Sequence, residues 1–207
     1  MAHYLITHSL LSSWLYAMKD NPYEDMTTER DAYAEFLLSL NREQTQTTEA
    51  MQKGIDFENL VTDIILGEPD DDSNWHEAAE KVANIVANGV LQYKASKKMV
   101  IAGLPLVLYG RLDALKAGVV YDIKFSGSYD RGKYISSTQH PMYLELIPEA
   151  TKFSYLVSNG NEVWTETYTR EETPSIIPII ESFITWLEAQ GLLDIYKEKW
   201  QSDRDAD

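Results

Sequence analysis

The 207-residue chain contains no cysteine. That excludes disulfide staples, thiolate zinc sites and cysteine-ligated iron–sulfur clusters. It also lacks any apolar run approaching a membrane span, and its start has no basic region followed by a small-residue cleavage site. The expectation is a soluble cytoplasmic protein with no membrane partner. His3, His8, His76 and His140 are scattered, without the partners of a hydrolase triad. Positive charge is scarce: 18 Lys and Arg against 33 Asp and Glu leave a formal net charge of −15. Phosphate binding needs local positive potential, which the chain as a whole does not offer.

What is present points to a packed globule. The apolar fraction is 44% with five Trp, and the length suits one well-cored domain spanning 1–207. The scarce positive charge is gathered. Residues 92–134 hold Lys94, Lys97, Lys98, Arg111, Lys116, Lys124, Arg131 and Lys133 against Asp113, Asp122 and Asp130. That segment is +5 and the remainder −20. Arg111, Arg131 and Lys133 are candidate phosphodiester contacts there.

The same segment carries Tyr109-Gly110-Arg111-Leu112-Asp113 and, nine residues on, Asp122-Ile123-Lys124. Val119 to Phe125 is β-branched and aromatic and reads as a strand, as does Leu104 to Leu115. Alternation puts Asp122 and Lys124 on one face. A two-residue loop at Ala117-Gly118 sets Asp113 directly opposite Asp122 on that face. Like charges so placed repel, and a divalent cation between them would remove the penalty. Gly110 offers a place for close approach. The alternative is a pair of solvated strand aspartates.

The remaining elements form a simple order. One helix runs from Ser9, as N-cap, to about Asp20, with Leu10, Trp14 and Met18 inward and Asn21-Pro22 as its stop. A second spans Thr28–Leu40 (Tyr33, Phe36, Leu37, Leu40), followed by a linker at Asn41–Thr48. A third covers Thr48–Leu66, with Ile55, Leu60, Val61, Ile64 and Ile65 facing the core. Asp70-Asp71-Asp72 is a solvated loop. A fourth helix spans Trp75–Leu91 with Ala79, Val82, Val86 and Val90 buried. Tyr93–Tyr109 is strand–turn–strand about Gly103. After the hairpin come a loop at Ser126–Lys133, a helix at Ser137–Ile147, strands at Phe153–Val157 and Val163–Tyr168, and a long C-terminal helix from Pro174 or Ser175. That last helix carries Ile176, Ile180, Phe183 and Leu187, before an acidic, frayed tail at Gln201–Asp207. This order fits a mixed α/β domain with a central sheet.

Two motifs flank the hairpin. Gly54-Ile55-Asp56-Phe57-Glu58 lies on the third helix, with Glu58 or Asp56 as its notable carboxylate. Gln139-His140-Pro141-Met142-Tyr143 opens the helix after the loop, with caps available at Ser136-Ser137-Thr138. Gln139 and Tyr143, four apart, share a face and can hydrogen-bond phosphate or sugar. The plainer alternatives are an exposed helix carboxylate and a capped amphipathic helix with Tyr143 half-buried.

In this order, Gly-x-x-Phe-Glu, Gly-x-x-Asp, Asp-x-Lys and Gln-x-x-x-Tyr, the chain resembles the PD-(D/E)XK nuclease superfamily, in its RecB-like and phage-exonuclease-like branch. The resemblance covers the core 54–143. Ser9 to Trp14 and Asn21-Pro22-Tyr23, within a helical extension at 1–50, are similar to the opening helix of RecB-like members. It implies a restriction-endonuclease-like core: a central mixed β-sheet flanked by helices, with N-terminal helical elements and the C-terminal helix added. It also implies Mg²⁺ (or Mn²⁺) held by Glu58, Asp113, Asp122 and the Ile123 carbonyl. Lys124 would position or deprotonate the attacking water, and Gln139 and Tyr143 would match a DNA-end-processing motif. Departures are Gly-Arg-Leu before the first Asp and Asn21-Pro22 where cluster-bearing relatives place Cys-Pro. The expected function is a metal-dependent DNA exonuclease, in the bacterial host cell if phage-encoded. Two alternatives stand beside it: an inactive nuclease-like fold binding a protein partner through its acidic surface, and a metal-free scaffold in which Lys124 neutralises Asp113 and Asp122.

Overall fold

The computed structural model describes residues 2–19, 31–43, 47–68 and 72–202. In chain order the elements are β1 (His3–Ile6), α1 (His8–Ala17), α2 (Ala32–Leu40), α3 (Glu49–Leu66), α4 (His76–Val86), β2 (Val90–Ile101), β3 (Leu104–Lys116), β4 (Val119–Phe125), α5 (Gln139–Leu146), β5 (Lys152–Ser158), β6 (Val163–Thr169), α6 (Ile177–Ala189), α7 (Leu193–Lys199) and β7 (Gln201–Ser202). Among the described residues, seven strands form one mixed sheet flanked by seven helices. The expected mixed α/β class is what the chain adopts.

Strand β3 is the axis of the sheet. One edge pairs with antiparallel β2 along nearly its whole length, from Ile101↔Leu104 to Val90↔Leu115. The other edge is shared. Parallel β1 takes Leu106–Leu108 and antiparallel β4 takes Ala114–Lys116. Residues 109–113 of that edge lie between the two, so the sheet forks there. Beyond β4, β5 adds in parallel and β6 antiparallel, while β7 closes the far side against β1. The hairpin turns are Ala102-Gly103 and Ala117-Gly118, both residues of each at positive φ (49° and 75°; 49° and 76°). Such turns match the right-handed twist of the strands they join. The second turn sets the register read from the sequence, with Ala114 opposite Tyr121 and Lys116 opposite Val119. The ladder ends at Ala114, however, and the Asp113 side chain takes the Ile123 N–H instead of Asp113 pairing with Asp122.

The two faces bury different helices. Phe57, Leu60 and Val61 of α3 join Ala79, Val82 and Val86 of α4 over Ala114 and Leu156. On the other face α1, α5 and α6 bring Leu10, Trp14, Met142 and Phe183 against Val120, Phe153 and Val157. Ile176, Ile180, Phe183 and Leu187 are fully buried, as their spacing predicts.

Several boundaries differ from the sequence reading. His3–Ile6 is a strand inside the sheet, ahead of the first helix, and it is short enough for its pattern to be lost among helices. The cap of α1 is Thr7 rather than Ser9: Thr7 Oγ1 accepts Leu10 N–H at 3.3 Å, and Met18 is 38% exposed rather than inward. Helix α2 begins after Asp31, whose carboxylate accepts the N–H groups of Tyr33 and Ala34. The proposed Thr28 start, the Asn21-Pro22 stop and Asp70-Asp71 lie outside the described residues. Ile55 is 48% exposed instead of core-facing. Helix α4 ends at Val86 and Val90 belongs to β2, where it is exposed. The C-terminal helix is two helices. Gly191, at φ 69°, lets Leu192 N–H reach the Leu187 carbonyl and its own N–H the Glu188 carbonyl, a Schellman stop. Gln201 and Ser202 pair with β1 and are no frayed tail.

Candidate active site

The fork in the sheet holds the acids. Asp122 projects from β4 and is 4% exposed, whereas Asp113 is half-buried. Asp113 Oδ2 accepts the Ile123 N–H at 2.7 Å. The Ile123 group seen engaged here is thus its N–H. Lys124, two residues along the same face, places Nζ 2.7 Å from Asp122 Oδ2. Oδ2 is buried and takes this charge-assisted contact from the Lys124 ammonium. The other oxygen, Oδ1, accepts the side-chain N–H of Gln139.

The electrostatics follow from this crowding. Burial raises the Asp113 pKa well above the usual carboxylate value, and the charges of Asp122 and Glu58 push it further. The Ile123 N–H and Lys124 oppose the rise. Burial also raises Asp122, against the pull of Lys124 and Gln139. For Lys124 burial acts downward, yet the neighbouring Asp122 and Asp113 prevail and its pKa rises. Lys124 is therefore an ammonium at neutral pH. Two acids crowd one half-buried cation, and the crowding disfavours the charged form of both.

Glu58 and Asp56 separate clearly. Asp56 is exposed and accepts the Gln52 side-chain amide on its own helix at 2.7 Å. Glu58 turns toward the sheet, near enough to act on Asp113, and accepts the Gln92 side-chain amide at 2.7 Å. Gln92 has φ 52° and sits on β2 across from Asp113, between the pairs Leu91↔Ala114 and Tyr93↔Leu112. Among the described residues, no three His, Asp or Glu side chains gather closely enough to hold a metal ion.

Helix α5 is not the capped amphipathic helix that stood as the plainer alternative. Seven of its eight residues are buried, because it is wedged between the sheet and α1. Ser137 Oγ accepts the Gln139 N–H, while Thr138 Oγ1 donates to the His8 carbonyl. The Tyr143 hydroxyl donates to the Arg111 carbonyl at 3.0 Å, and its ring lies directly over Gly110. Gly110 thus accommodates Tyr143, where the sequence suggested room for close approach of a ligand. Both polar groups of the Gln-x-x-x-Tyr motif are engaged within the protein. Arg111 and Arg131 are exposed. Lys133 is also exposed, with Nζ donating to Ser126 Oγ and the Ser128 carbonyl.

Four residues of the site were not read from the sequence. His8, half-buried and with its pKa lowered to about 4 by desolvation and Lys124, packs edge-on against Tyr143 at 5.5 Å. Gln92 has no sequence signal; its role depends on an unusual φ. Tyr134 stacks on Tyr155 with ring centroids 4.3 Å apart, and Tyr155 pairs with Asp122 in the sheet. Glu166 pairs with Tyr155 in turn and anchors the loop from β4 to α5. It accepts Tyr129 O–H and the backbone N–H groups of Gly132 and Tyr134, with Tyr168 O–H as a fourth donor. A signal existed: alternation places Glu166 on the same face as Trp164 and Tyr168, where an acid needs partners.

No protein-family model and no curated protein matches the chain. Among solved structures it is similar to the crystal structure of SSO0001, with a TM-score of 0.55 and 16% identity, over 89% of this chain and 77% of that one. At that identity the likeness is one of fold. No helix among the described residues is long and apolar enough to cross a membrane.

Proposed function

We propose that the chain is a Mg²⁺- or Mn²⁺-dependent DNA nuclease of the PD-(D/E)XK kind, acting as an exonuclease in the cytoplasm. The observation that carries this reading is the pair Asp113 and Asp122 at the sheet fork, sharing one face with Lys124. The residues suit a hard cation in kind: carboxylates of Asp113, Asp122 and Glu58, close enough for the last two to act on the first, beside a single lysine. Asp113 and Asp122 would hold the metal, with Glu58 as the further carboxylate once it leaves Gln92. A cation bound there supplies charge neutralisation at the phosphate and a hydroxide near neutral pH.

The protein's own groups then have distinct tasks. Lys124, charged and drawn to Asp122, donates hydrogen bonds to the attacking water and to a phosphate oxygen. An ammonium of raised pKa is a poor base, so orienting the water is its role and deprotonating it is not. Gln139 fixes the Asp122 carboxylate by holding Oδ1. Tyr143 holds β3 at the Arg111 carbonyl, two residues from Asp113. Arg111 and Arg131, both exposed, would meet phosphates approaching from solvent.

A second reading has support of its own. No three-acid cage stands ready among the described residues, and the charge outside residues 92–134 is −20. An inactive fold binding a protein partner through its acidic surface accounts for both. The deciding experiment is digestion of end-labelled linear and closed circular DNA at low salt with Mg²⁺, Mn²⁺ or EDTA, beside Lys124→Ala and Asp122→Asn. Metal-dependent loss of linear DNA alone, abolished in both variants, is the expected result. Full activity in Asp122→Asn refutes the assigned site, and no digestion of any substrate favours the binding module.

A further inference from the structure

A cavity of about 650 Å³ opens beside Lys124, between α1 and the loop that leads into α5. His8, Tyr16 and Lys19 line one side, and Lys133, Tyr134 and Gln139 the other. The volume lies within the roughly 300–1,000 Å³ of ordinary ligand sites. In a chain with 33 acids, the described lining residues include three lysines and neither Asp nor Glu. Its floor is continuous with the sheet fork, because Lys124 and Gln139 both line it and both touch Asp122.

We infer that this cavity receives one unpaired nucleotide, so that the substrate is a single strand fed past Lys124. The inference rests on the nuclease reading for its consequence, though binding can be tested without catalysis. Sites that take single strands combine positive charge along the backbone with aromatic faces on which bases stack. Both are here. The Tyr16 ring is 63% exposed at the mouth, and Tyr134 is a fixed wall, stacked on Tyr155 and tied by its N–H to Glu166. Leu15 and Met18 add aliphatic surface, and Lys19, Lys124 and Lys133 line the cavity as the cations a phosphate would meet. Lys133 uses two of its N–H donors on the loop and keeps the third for a ligand. A base that remains paired cannot leave its partner strand to enter the cavity, so the inference predicts a preference for unpaired strands over duplex.

The test is fluorescence anisotropy at low salt in EDTA, using a labelled oligo-dT and the same strand in a dA·dT duplex, with dTMP as competitor. The expected result is single-strand binding about tenfold tighter than duplex, weakened about tenfold by Tyr16→Ala and retained by Tyr16→Phe. dTMP should displace the strand from the wild type. Tyr16 is exposed, so its substitution leaves the core intact. Equal affinity for duplex and single strand, no effect of Tyr16→Ala, or no competition by dTMP each overturns the inference. Selective single-strand binding without Mg²⁺-dependent digestion sinks the nuclease reading and leaves the cavity standing. Digestion with binding indifferent to Tyr16 does the reverse.

Discussion

Gly110→Ala tests how the sheet fork is built. A Cβ added at Gly110 would stand 2.2 Å from Tyr143 Cε1, 2.9 Å from its Cδ1 and 3.0 Å from Leu146 Cδ1. Carbon atoms in contact prefer about 3.5–4.0 Å, so the ring must retreat by more than an ångström. It has nowhere to go. The ring is buried, packs on Phe153 and His8, and is tethered by its hydroxyl to Arg111. Overpacking costs about 3 kcal/mol at the upper end, and losing the tether costs about 1 more. Reduced freedom of the unfolded chain returns roughly 0.4–1 kcal/mol. The net is about 3 kcal/mol, which lowers Tm by about 6–12 °C for a chain of this size. Thermal unfolding followed by circular dichroism reads it directly. In a Tyr143→Ala background the same substitution should cost less than about 0.5 kcal/mol, because the obstructing ring is gone. Because α5 also carries Gln139, single-strand affinity or DNA digestion should fall with the single variant. A melt within about 2 °C of wild type, or an equal cost with and without the Tyr143 ring, refutes the reasoning.

The folded-state pKa of Asp113 lies above its unfolded value, so its contribution is most favourable while the carboxyl is protonated. That stability is lost as pH rises from the ordinary carboxylate range through the raised value. Asp113→Asn should therefore melt above wild type in EDTA at pH 8, and Mg²⁺ should raise the wild-type Tm more than the variant's; the opposite order contradicts the reading. Glu166 behaves inversely. Burial works to raise its pKa, but its hydrogen bonds win and hold it low, so its stabilisation exists above the ordinary carboxylate range and fades as pH falls through the folded value. Glu166→Gln turns an N–H toward donors, should cost about 2–3 kcal/mol in urea unfolding at pH 7, and should flatten the acid limb. Tyr196→Phe removes the 2.9 Å bond from its hydroxyl to the buried Leu5 carbonyl, costing about 1–2 kcal/mol of stability. No change in the Tyr196→Phe midpoint would mean that α7 does not secure β1.

How much of this was legible depended on how local each cause is. The Ala117-Gly118 turn and the alternation of β4 decide where Asp113, Asp122 and Lys124 point, and both are written in consecutive residues. The span of α3, read as Thr48–Leu66, was equally readable, as were the buried positions of α6. The Gly191 break carried a signal that the continuous apolar pattern on either side concealed. β1 was missed because four residues between a start and a helix show too little alternation. Ile55 was misplaced because a helix spacing tells which residues share a face, and not how far along its length the neighbouring layer extends.

The chain's own order of residues thus determined the hairpin register, the shared face of the two acids and the lysine, and the amphipathic stripes that made a layered α/β fold necessary. Those follow from nearest-neighbour sterics and periodicity. Tertiary structure alone decided that β1 and β4 divide one edge of β3 and open a fork at residues 109–113. It alone decided that Gln139 and Tyr143 turn inward to Asp122 and Arg111, that Gly110 makes room for Tyr143, and that Glu58 meets Gln92. Glu166, 32 residues beyond Tyr134, gathers the loop over Tyr155 in the same way. Each of these joins groups distant in the chain, and which of several possible partners a polar group takes is settled only when burial removes water as the alternative.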